Sequence, residues 1–206
     1  MKILGIADLH GFTLDEIEKL YRLNPKNIDL VAWLGDNDSY VIKNIKEHLE
    51  NANHIGVLGN YETHDNLTEN GILNINKRFI KDNGLSFVGF EGCYKEEDDD
   101  RWVYGYSQKQ SITTAFKLPK ADVVLSHTSP MGVNQNKPEH PGLIGISDYI
   151  KIHEPRLVLH GHQHINKTTL LKNGTLVVGI YGATIIDSDN LTMMPILRKN
   201  WKINKN

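Results

Sequence analysis

Residues 2–10 have the sequence KILGIADLH, in which an apolar run ends at two polar residues, Asp8 and His10. A continuous apolar run of this length is typical of a parallel strand that is buried on both faces. Thr13 and Glu16 follow at the spacing of a capping box, so we expect a helix directly after the strand. The segment therefore predicts the first strand and helix of an α/β sheet, with polar side chains at the carboxyl end of the strand.

The same order of strand, polar residues and helix repeats along the first quarter of the chain. Apolar runs at 28–34 and 54–58 are followed by Gly35-Asp36 and Gly59-Asn60, and residues 39–50 have the periodicity of an amphipathic helix. Strands that alternate with helices indicate right-handed βαβ units and a mainly parallel sheet.

A second group of strands and helices follows after residue 70. The predicted strands lie at 72–75, 85–90, 122–126, 156–160, 168–171 and 175–181, and the predicted helices lie at 108–117 and 145–153. Lys172-Asn173-Gly174 has the composition of a hairpin turn. Two strand groups, each with its own helices, predict an α/β fold of two mixed β-sheets packed face to face, with helices outside. We expect one domain over residues 1–206, with a solvated basic tail from about 197 to 206.

The composition excludes several classes of protein. The chain has 206 residues, of which 39% are hydrophobic and 23% charged, and its formal net charge is −2. This charge argues against broad nucleic-acid binding, so nucleic acid is expected only as a substrate. The single cysteine, Cys93, excludes an internal disulfide and fits a reducing compartment. Residues 1–5 become polar too early for a signal peptide and no apolar run would span a bilayer, so we expect a cytoplasmic protein without a membrane partner.

Five polar clusters each follow a predicted strand. They are Asp8-Leu9-His10, Gly35-Asp36, Gly59-Asn60-Tyr61-Glu62, Ser126-His127 and Gly161-His162-Gln163-His164. Alone, each has an ordinary explanation, such as a hydrogen-bonded histidine at a strand end. Together they predict a metal centre, because ligands bind at the carboxyl ends of the strands of an open α/β sheet. Mixed imidazole and carboxylate ligands suit Mn²⁺, Fe, Zn²⁺ or Ni²⁺ better than Ca²⁺. Two adjacent cations need a bridging anion, and Asp36 is the natural bridge.

The five clusters, in this order, resemble the motifs of the calcineurin-like metallophosphoesterase superfamily, most of all its small bacterial, archaeal and phage branch. The resemblance extends from Asp8 to His164 and implies a four-layer αββα sandwich with two divalent ions. Mn²⁺ is favoured, with Fe, Zn²⁺, Ni²⁺ and Mg²⁺ as alternatives. Carried over position by position, one ion would be held by Asp8, His10, Asp36 and His164, and the other by Asp36, Asn60, His127 and His162.

The resemblance also implies an activity, the hydrolysis of a small phosphate ester by a hydroxide that bridges the two ions. Asp36 and Asn60 are then catalytic, and Asn60 can also orient a phosphate oxygen. Two alternatives remain open. One is a phosphomonoesterase or serine/threonine protein phosphatase, and the other is a non-catalytic metal-binding scaffold with the same fold.

Tyr61 departs from the family pattern, which has a histidine after the asparagine to protonate the leaving group. A phenol donates a hydrogen bond at pH 7 but supplies no positive charge. A monoester dianion needs cationic help more than a diester monoanion does. Tyr61, as a weak catalytic residue, therefore favours a phosphodiester or a substrate with a good leaving group. His64 and His140 are candidates to replace the histidine, although each is also explained as an exposed loop residue.

The remaining predictions concern residues around the centre. Glu62 is expected to stabilise its local turn, and His160 to pack behind the metal ligands. Arg101 and Trp102 follow an acidic run at 96–100 and are candidates to bind substrate at a rim that stacks on a base and contacts phosphate. A surface loop with one aromatic side chain in the core explains Arg101 and Trp102 equally well.

Overall fold

The computed structural model describes residues 1–96, 101–136 and 138–199, and these ranges contain fourteen β-strands and five α-helices. The strands are β1 (Lys2–Ala7), β2 (Leu30–Leu34), β3 (Asn53–Val57), β4 (Leu73–Asn74), β5 (Phe79–Asp82), β6 (Leu85–Phe90), β7 (Cys93–Tyr94), β8 (Gly105–Tyr106), β9 (Val123–Ser126), β10 (Leu157–His160), β11 (Lys167–Leu170), β12 (Leu176–Gly179), β13 (Gly182–Asp187) and β14 (Thr192–Arg198). The α-helices are α1 (Leu14–Ile17), α2 (Ser39–His48), α3 (Asn66–Glu69), α4 (Gln108–Lys117) and α5 (Ile144–His153). Short 3-10 helices lie at Leu9–Gly11, Glu18–Arg22 and Pro25–Asn27.

Two six-stranded mixed sheets form the centre of the molecule, as the sequence predicted. The first has the order β14-β13-β1-β2-β3-β4, and the second has the order β11-β12-β10-β9-β6-β5. In each sheet four neighbouring strands are mutually parallel. The antiparallel pairs flank them: β1–β13 and β13–β14 on the first sheet, and β11–β12 and β5–β6 on the second. Because the carboxyl ends of parallel strands lie at one edge of a sheet, this arrangement gives each sheet one polar edge.

Three apolar layers separate the four layers of secondary structure. Strand β2 shows how one segment contributes to two of them, since Trp33 packs with helix α2 while Leu34 packs between the sheets. The outer face of the second sheet is covered by helices α4 and α5, with Ala115 and Tyr149 in the contact. Both faces of β2 are buried, which explains its continuous apolar sequence. None of the helices in the described ranges is long and apolar enough to cross a membrane.

The predicted helices agree with the structure except near the N-terminus. The capping box of Thr13 and Glu16 is present, but the α-helix that it begins is one turn long and continues as the 3-10 helix Glu18–Arg22. Helix α4 has the predicted bounds, with Ser107 as its N-cap, and α5 ends at Glu154 in the left-handed conformation before Pro155. Helix α3 and strands β5, β7, β8, β13 and β14 were not predicted.

The C-terminal segment corrects a second prediction. Residues 192–198 form the edge strand β14, with Pro195 inside it, a position that edge strands tolerate. Leu197 is buried, and the ammonium of Lys199 donates a hydrogen bond to the carbonyl of Gly11 at 2.6 Å. The prediction of a solvated tail from about residue 197 is therefore wrong for residues 197–199. Residues 200–206, and residues 97–100 of the predicted acidic turn, lie outside the described ranges.

Candidate metal centre

The polar edges of the two sheets meet, and backbone contacts join them. The N–H of Asp8, after β1, donates to the carbonyl of Gly35 after β2, at 3.1 Å. In the second sheet the N–H of Gly161 donates to the carbonyl of His127 at 2.8 Å. The N–H of His162 then donates to Asp8 Oδ2 at 2.8 Å, across 154 positions of sequence. Clusters far apart in the chain therefore converge on one crevice.

The backbone at this crevice is strained. Four of the predicted ligands have a positive φ: Asp8 (57°), Asp36 (57°), His162 (62°) and His164 (49°). The left-handed region is unfavourable for residues other than glycine, costs about 1–3 kcal/mol for each one held there, and is concentrated at functional sites. Gly35 has a φ of 88°, and an added Cβ there would lie 2.5 Å from His127 Nδ1. Only glycine allows β2 to turn this close to the histidine of the other sheet.

Asp36, Asn60 and His127 form one buried group. His127 Nδ1 lies 2.7 Å from the carbonyl oxygen of Leu34, which can only accept, so Nδ1 is the donor. His127 Nε2 then faces two oxygens, Asn60 Oδ1 at 3.0 Å and Asp36 Oδ2 at 3.3 Å. The ring of His162 lies beside that of His127, with centroids 5.0 Å apart. This group contains the four ligands predicted for the second ion.

Asp8, His10 and His164 form the other group. One ligand atom from each of the three lies within 4.8 Å of the others. The same distance holds among Asp8, Asp36 and His127. Asp8 Oδ1 is 3.6 Å from His164 Nε2, and the rings of His10 and His164 have centroids 5.2 Å apart. Asp8 is common to both sets of three, and the second set also contains Asp36 and His127 of the buried group. The structure therefore brings the seven predicted ligands to one place.

The charges and unsatisfied atoms of these groups fit bound cations. Asp8 Oδ1 and Asp36 Oδ2 are buried and accept no hydrogen bond, a costly state for a carboxylate oxygen. Burial, the largest single effect, would raise the pKa of Asp36, but the charge of His127 and the polar contacts of the carboxylate, the Tyr61 N–H among them, together outweigh burial and lower it. For His127, burial would lower the pKa, and the Asp36 carboxylate overcomes it and raises the pKa to about 10. The centre thus attracts positive charge, and its oxygen and imidazole donors suit divalent transition ions.

Glu62 and His160 support the centre from outside the cleft. Glu62 accepts hydrogen bonds from the N–H groups of Gly59, at 2.9 Å, and Asn37, at 3.2 Å, which fixes the turn that carries Asn60. Burial, followed by the charge of Asp36, raises the pKa of Glu62 to about 8. Burial lowers the pKa of His160 to about 4, and Asn134 Nδ2 lies 3.2 Å from His160 Nε2. A neutral His160 therefore packs behind the Gly161 turn.

The two histidines considered as replacements at the leaving-group end lie in different places. His64 is paired with Glu69 on the surface, at 3.3 Å, outside the cleft. His140 lines the cleft, and its ring centroid lies 5.2 Å from that of His162. Gln163 holds the loop of His140, because Gln163 Nε2 donates to the His140 carbonyl at 3.0 Å and its Oε1 accepts from the N–H of Asn136 at 3.0 Å. This role of Gln163 was not predicted.

Tyr181 is a second residue that the sequence prediction missed. Its ring stacks on His164, with centroids 4.7 Å apart and planes 14° apart, and also contacts Phe12 at 5.0 Å. Its N–H donates to Asn166 Oδ1 at 3.1 Å, which fixes the backbone at this point. Tyr181 directly follows the apolar run of β12 and so has the same strand-end position as the five clusters. This position is the sequence feature from which a role at the centre could have been predicted.

Replacing Tyr181 with alanine is expected to lower the free energy of unfolding by about 2–4 kcal/mol, because it leaves a cavity between His164 and Phe12. We also expect Mn²⁺ affinity to fall by about 10–100-fold, since His164 loses the ring that orients it. Urea denaturation of metal-free protein and Mn²⁺ titration measure the two effects. Tyr181→Phe keeps the ring and should retain both values, and Tyr40→Ala, at an exposed tyrosine of α2, is the control. Unchanged Mn²⁺ affinity in the alanine variant would contradict the orienting role.

A cleft of about 670 Å³ opens onto the candidate metal centre. Asn60, His162 and His164 line its inner part, and Arg101 and Trp102 line its outer part. Tyr61 lies between these parts and is 62% exposed. Its ring is 5.3 Å from that of His10 and 5.2 Å from that of Trp102. The candidate substrate residues thus share a cleft with the candidate metal ligands.

Comparisons with known proteins agree with this architecture. The profile of the family described as calcineurin-like phosphoesterase matches residues 1–166. Similar solved structures include TT1561 from Thermus thermophilus, with 18% identity, TM-score 0.69 and coverage of 94% of this chain and 96% of the other. A phosphopantetheinyl hydrolase from Mycobacterium tuberculosis has 15% identity, TM-score 0.63 and coverage of 87% and 89%. A protein described as a novel archaeal phosphodiesterase has 19% identity, TM-score 0.57 and coverage of 94% and 98%. No curated protein matches the sequence. At these identities the structural likeness shows the fold alone.

Proposed function

Because the chain belongs to the calcineurin-like phosphoesterase family, we propose that it hydrolyses a small phosphodiester at a centre of two divalent metal ions. The observation that carries this proposal is the pair of buried carboxylate oxygens, on Asp8 and Asp36, that accept no hydrogen bond and face imidazole nitrogens. Buried carboxylate oxygens in this state suit bound cations, and all seven predicted ligand positions hold residues that can bind them, which favours a hydrolase over a non-catalytic metal-binding scaffold.

The proposed ligands are Asp8, His10, Asp36 and His164 for one ion, and Asp36, Asn60, His127 and His162 for the other. Mn²⁺ is the proposed metal, because the donors are mixed nitrogen and oxygen atoms. When bound, the two ions would neutralise phosphate charge and activate a water molecule for attack on phosphorus.

The protein's own groups hold this arrangement in place. The N–H of Tyr61 donates to Asp36 Oδ1 at 2.9 Å, which directs the other carboxylate oxygen, Oδ2, toward His127. Asn60 Oδ1 faces His127, so Asn60 Nδ2 would serve as the donor to a phosphate oxygen. Burial lowers the pKa of His162 well below its ordinary value, so its imidazole is neutral and carries a lone pair.

The preference for a diester rests on the charge of the outer cleft. Tyr61 places a neutral phenol where the family pattern has a histidine. Among the described residues, Lys95 and Arg101 line the cleft together with Glu96 and Glu139, so this part of the lining carries no excess of positive charge. A monoester dianion would lack a counter-charge at the leaving group, whereas a diester monoanion requires less positive charge there.

A phosphomonoesterase is the competing form of the proposal, and His140 is the observation in its favour. Its ring lies in the cleft beside His162 and could supply the missing charge. Comparing the hydrolysis of a diester with that of a monoester distinguishes the two forms.

The test is a paired assay on protein that has been stripped of metal and reloaded with Mn²⁺. We expect about two ions per chain and a kcat/KM for bis(p-nitrophenyl) phosphate at least about tenfold above that for p-nitrophenyl phosphate, since the second ester carries one more charge against a neutral phenol. A higher value for the monoester would overturn the diester preference. Protein that hydrolyses neither ester would overturn the enzymatic proposal, and uptake of metal without hydrolysis would favour the non-catalytic metal-binding scaffold.

A further inference from the structure

The outer cleft is rich in exposed aromatic surface. Tyr61 is 62% exposed, Trp102 and Tyr94 are half-buried, and Pro141 adds a further apolar ring. Aromatic side chains that line a concave site and stay accessible are typical of ligand contacts. Apart from the phenol of Tyr61 at the leaving-group end, the hydrolytic mechanism above uses none of these rings.

Tyr61 connects this aromatic surface to the metal centre. Its backbone is fixed by the hydrogen bond to Asp36 Oδ1, and its ring contacts the ring of His10. On the outer side the ring packs against Trp102 at 5.2 Å with an interplanar angle of 75°. Trp102 is held in turn, because Lys95 Nζ donates to its carbonyl oxygen at 3.2 Å. A planar group that stacks on Tyr61 would therefore lie directly beside a phosphate at the metal centre.

Size and charge restrict what this surface binds. The cleft volume of about 670 Å³ falls within the range of about 300–1,000 Å³ that is usual for small-molecule sites, so a nucleoside-sized group fits. Acidic and basic side chains both line the outer cleft, which disfavours recognition of a long polyanion by charge. Stacking is the contact that the lining supplies.

We propose that Tyr61 and Trp102 form a stacking site that selects phosphodiesters bearing a planar aromatic group, such as a nucleobase, next to the scissile phosphate. The hydrolytic part of this inference rests on the proposed function, while the stacking is measured by binding alone. Tyr61 becomes a specificity residue, which gives a physical use to the departure of this chain from the family pattern.

The binding test compares adenosine 5′-monophosphate with ribose 5-phosphate on the Mn²⁺-loaded full chain, by isothermal titration calorimetry. The two ligands differ only in the base, so we expect at least about tenfold tighter binding of the first, the usual effect of a base stacked on an aromatic ring. Tyr61→Ala and Trp102→Ala should each remove about tenfold of that preference and leave ribose 5-phosphate within about twofold. Tyr61→Phe should keep the preference because it keeps the ring.

The control variant is Tyr40→Ala, which removes an equally exposed tyrosine on helix α2, outside the cleft, and should change neither affinity. Hydrolysis is then compared for adenosine 2′,3′-cyclic phosphate and glycerol 1,2-cyclic phosphate, which share the same cyclic diester. A base preference that depends on Tyr61, without any hydrolysis, would support the stacking site and overturn the proposed function. Equal hydrolysis of both diesters, with no loss of affinity in Tyr61→Ala, would overturn the stacking site and leave the proposed function standing.

Discussion

Replacing Asp36 with asparagine is expected to lower kcat/KM for a phosphodiester by about 10³-fold or more, because Asp36 is the ligand that both predicted ions share. Losing a shared carboxylate removes several kcal/mol of transition-state stabilisation, and each 1.4 kcal/mol is about tenfold in rate. The asparagine keeps an oxygen for the N–H of Tyr61, so the local turn should persist. Steady-state kinetics in Mn²⁺ and elemental analysis measure the result, and the bound metal should fall from about two ions per chain to one or fewer.

The matched control for this substitution is Asp148→Asn, which makes the same chemical change on helix α5, outside the cleft. The side chain of Asp148 is 26% exposed and pairs with Lys151 at 3.3 Å, an exposed pair that contributes little to stability. Circular dichroism should show both variants folded. Activity and two bound ions in Asp36→Asn would show that the chemistry takes place at another site.

The sequence predicted most of the fold because buried parallel strands have continuous apolar runs that can be recognised locally. Strand β2 is apolar throughout since both of its faces are covered, and helices α4 and α5 carry regular caps or periodicity. The hairpin of β13 and β14 has a weaker sequence pattern. β14 is a half-exposed edge strand that contains Pro195, and its neighbour β13 pairs antiparallel with β1, so that Thr184 lies opposite Gly5. Such a pairing depends on contacts between the two ends of the chain, which no local pattern encodes.

The convergence of the seven candidate ligands was predictable for the same local reason, since each follows a strand end. The residues that orient them were not, because their roles arise from tertiary contacts. Tyr181 acts by lying flat against His164, a contact that depends on where two loops meet. His64 and His140 both lie in polar loop sequences, yet the fold pairs one with Glu69 on the surface and places the other in the cleft. Only the assembled sheets distinguish them.

Changing Tyr61 to histidine is expected to raise kcat/KM for phenyl phosphate, whose poor leaving group needs a proton, by about 10²-fold, within the range of about 10²–10⁴ that a positioned general acid supplies. Position 61 lies beside His10 at the mouth of the centre, so an imidazolium there would face the leaving group. The gain requires the protonated ring, whose ordinary pKa is about 6.5. It should therefore be full at low pH and be lost as the pH rises through that value. Steady-state assays from pH 5 to 9 measure it.

Two controls separate charge from size at position 61. Tyr61→Gln offers an uncharged hydrogen-bond donor and should give no gain on the monoester at any pH, and Tyr61→Phe should give none either. Position 61 then affects both monoester hydrolysis and base stacking, because a histidine adds cationic charge but presents a smaller ring beside Trp102. The histidine variant should then gain monoesterase activity while its preference for adenosine 5′-monophosphate over ribose 5-phosphate falls. A histidine variant with wild-type monoesterase activity across the pH range would show that another group of the cleft, with His140 as the next candidate, already protonates the leaving group.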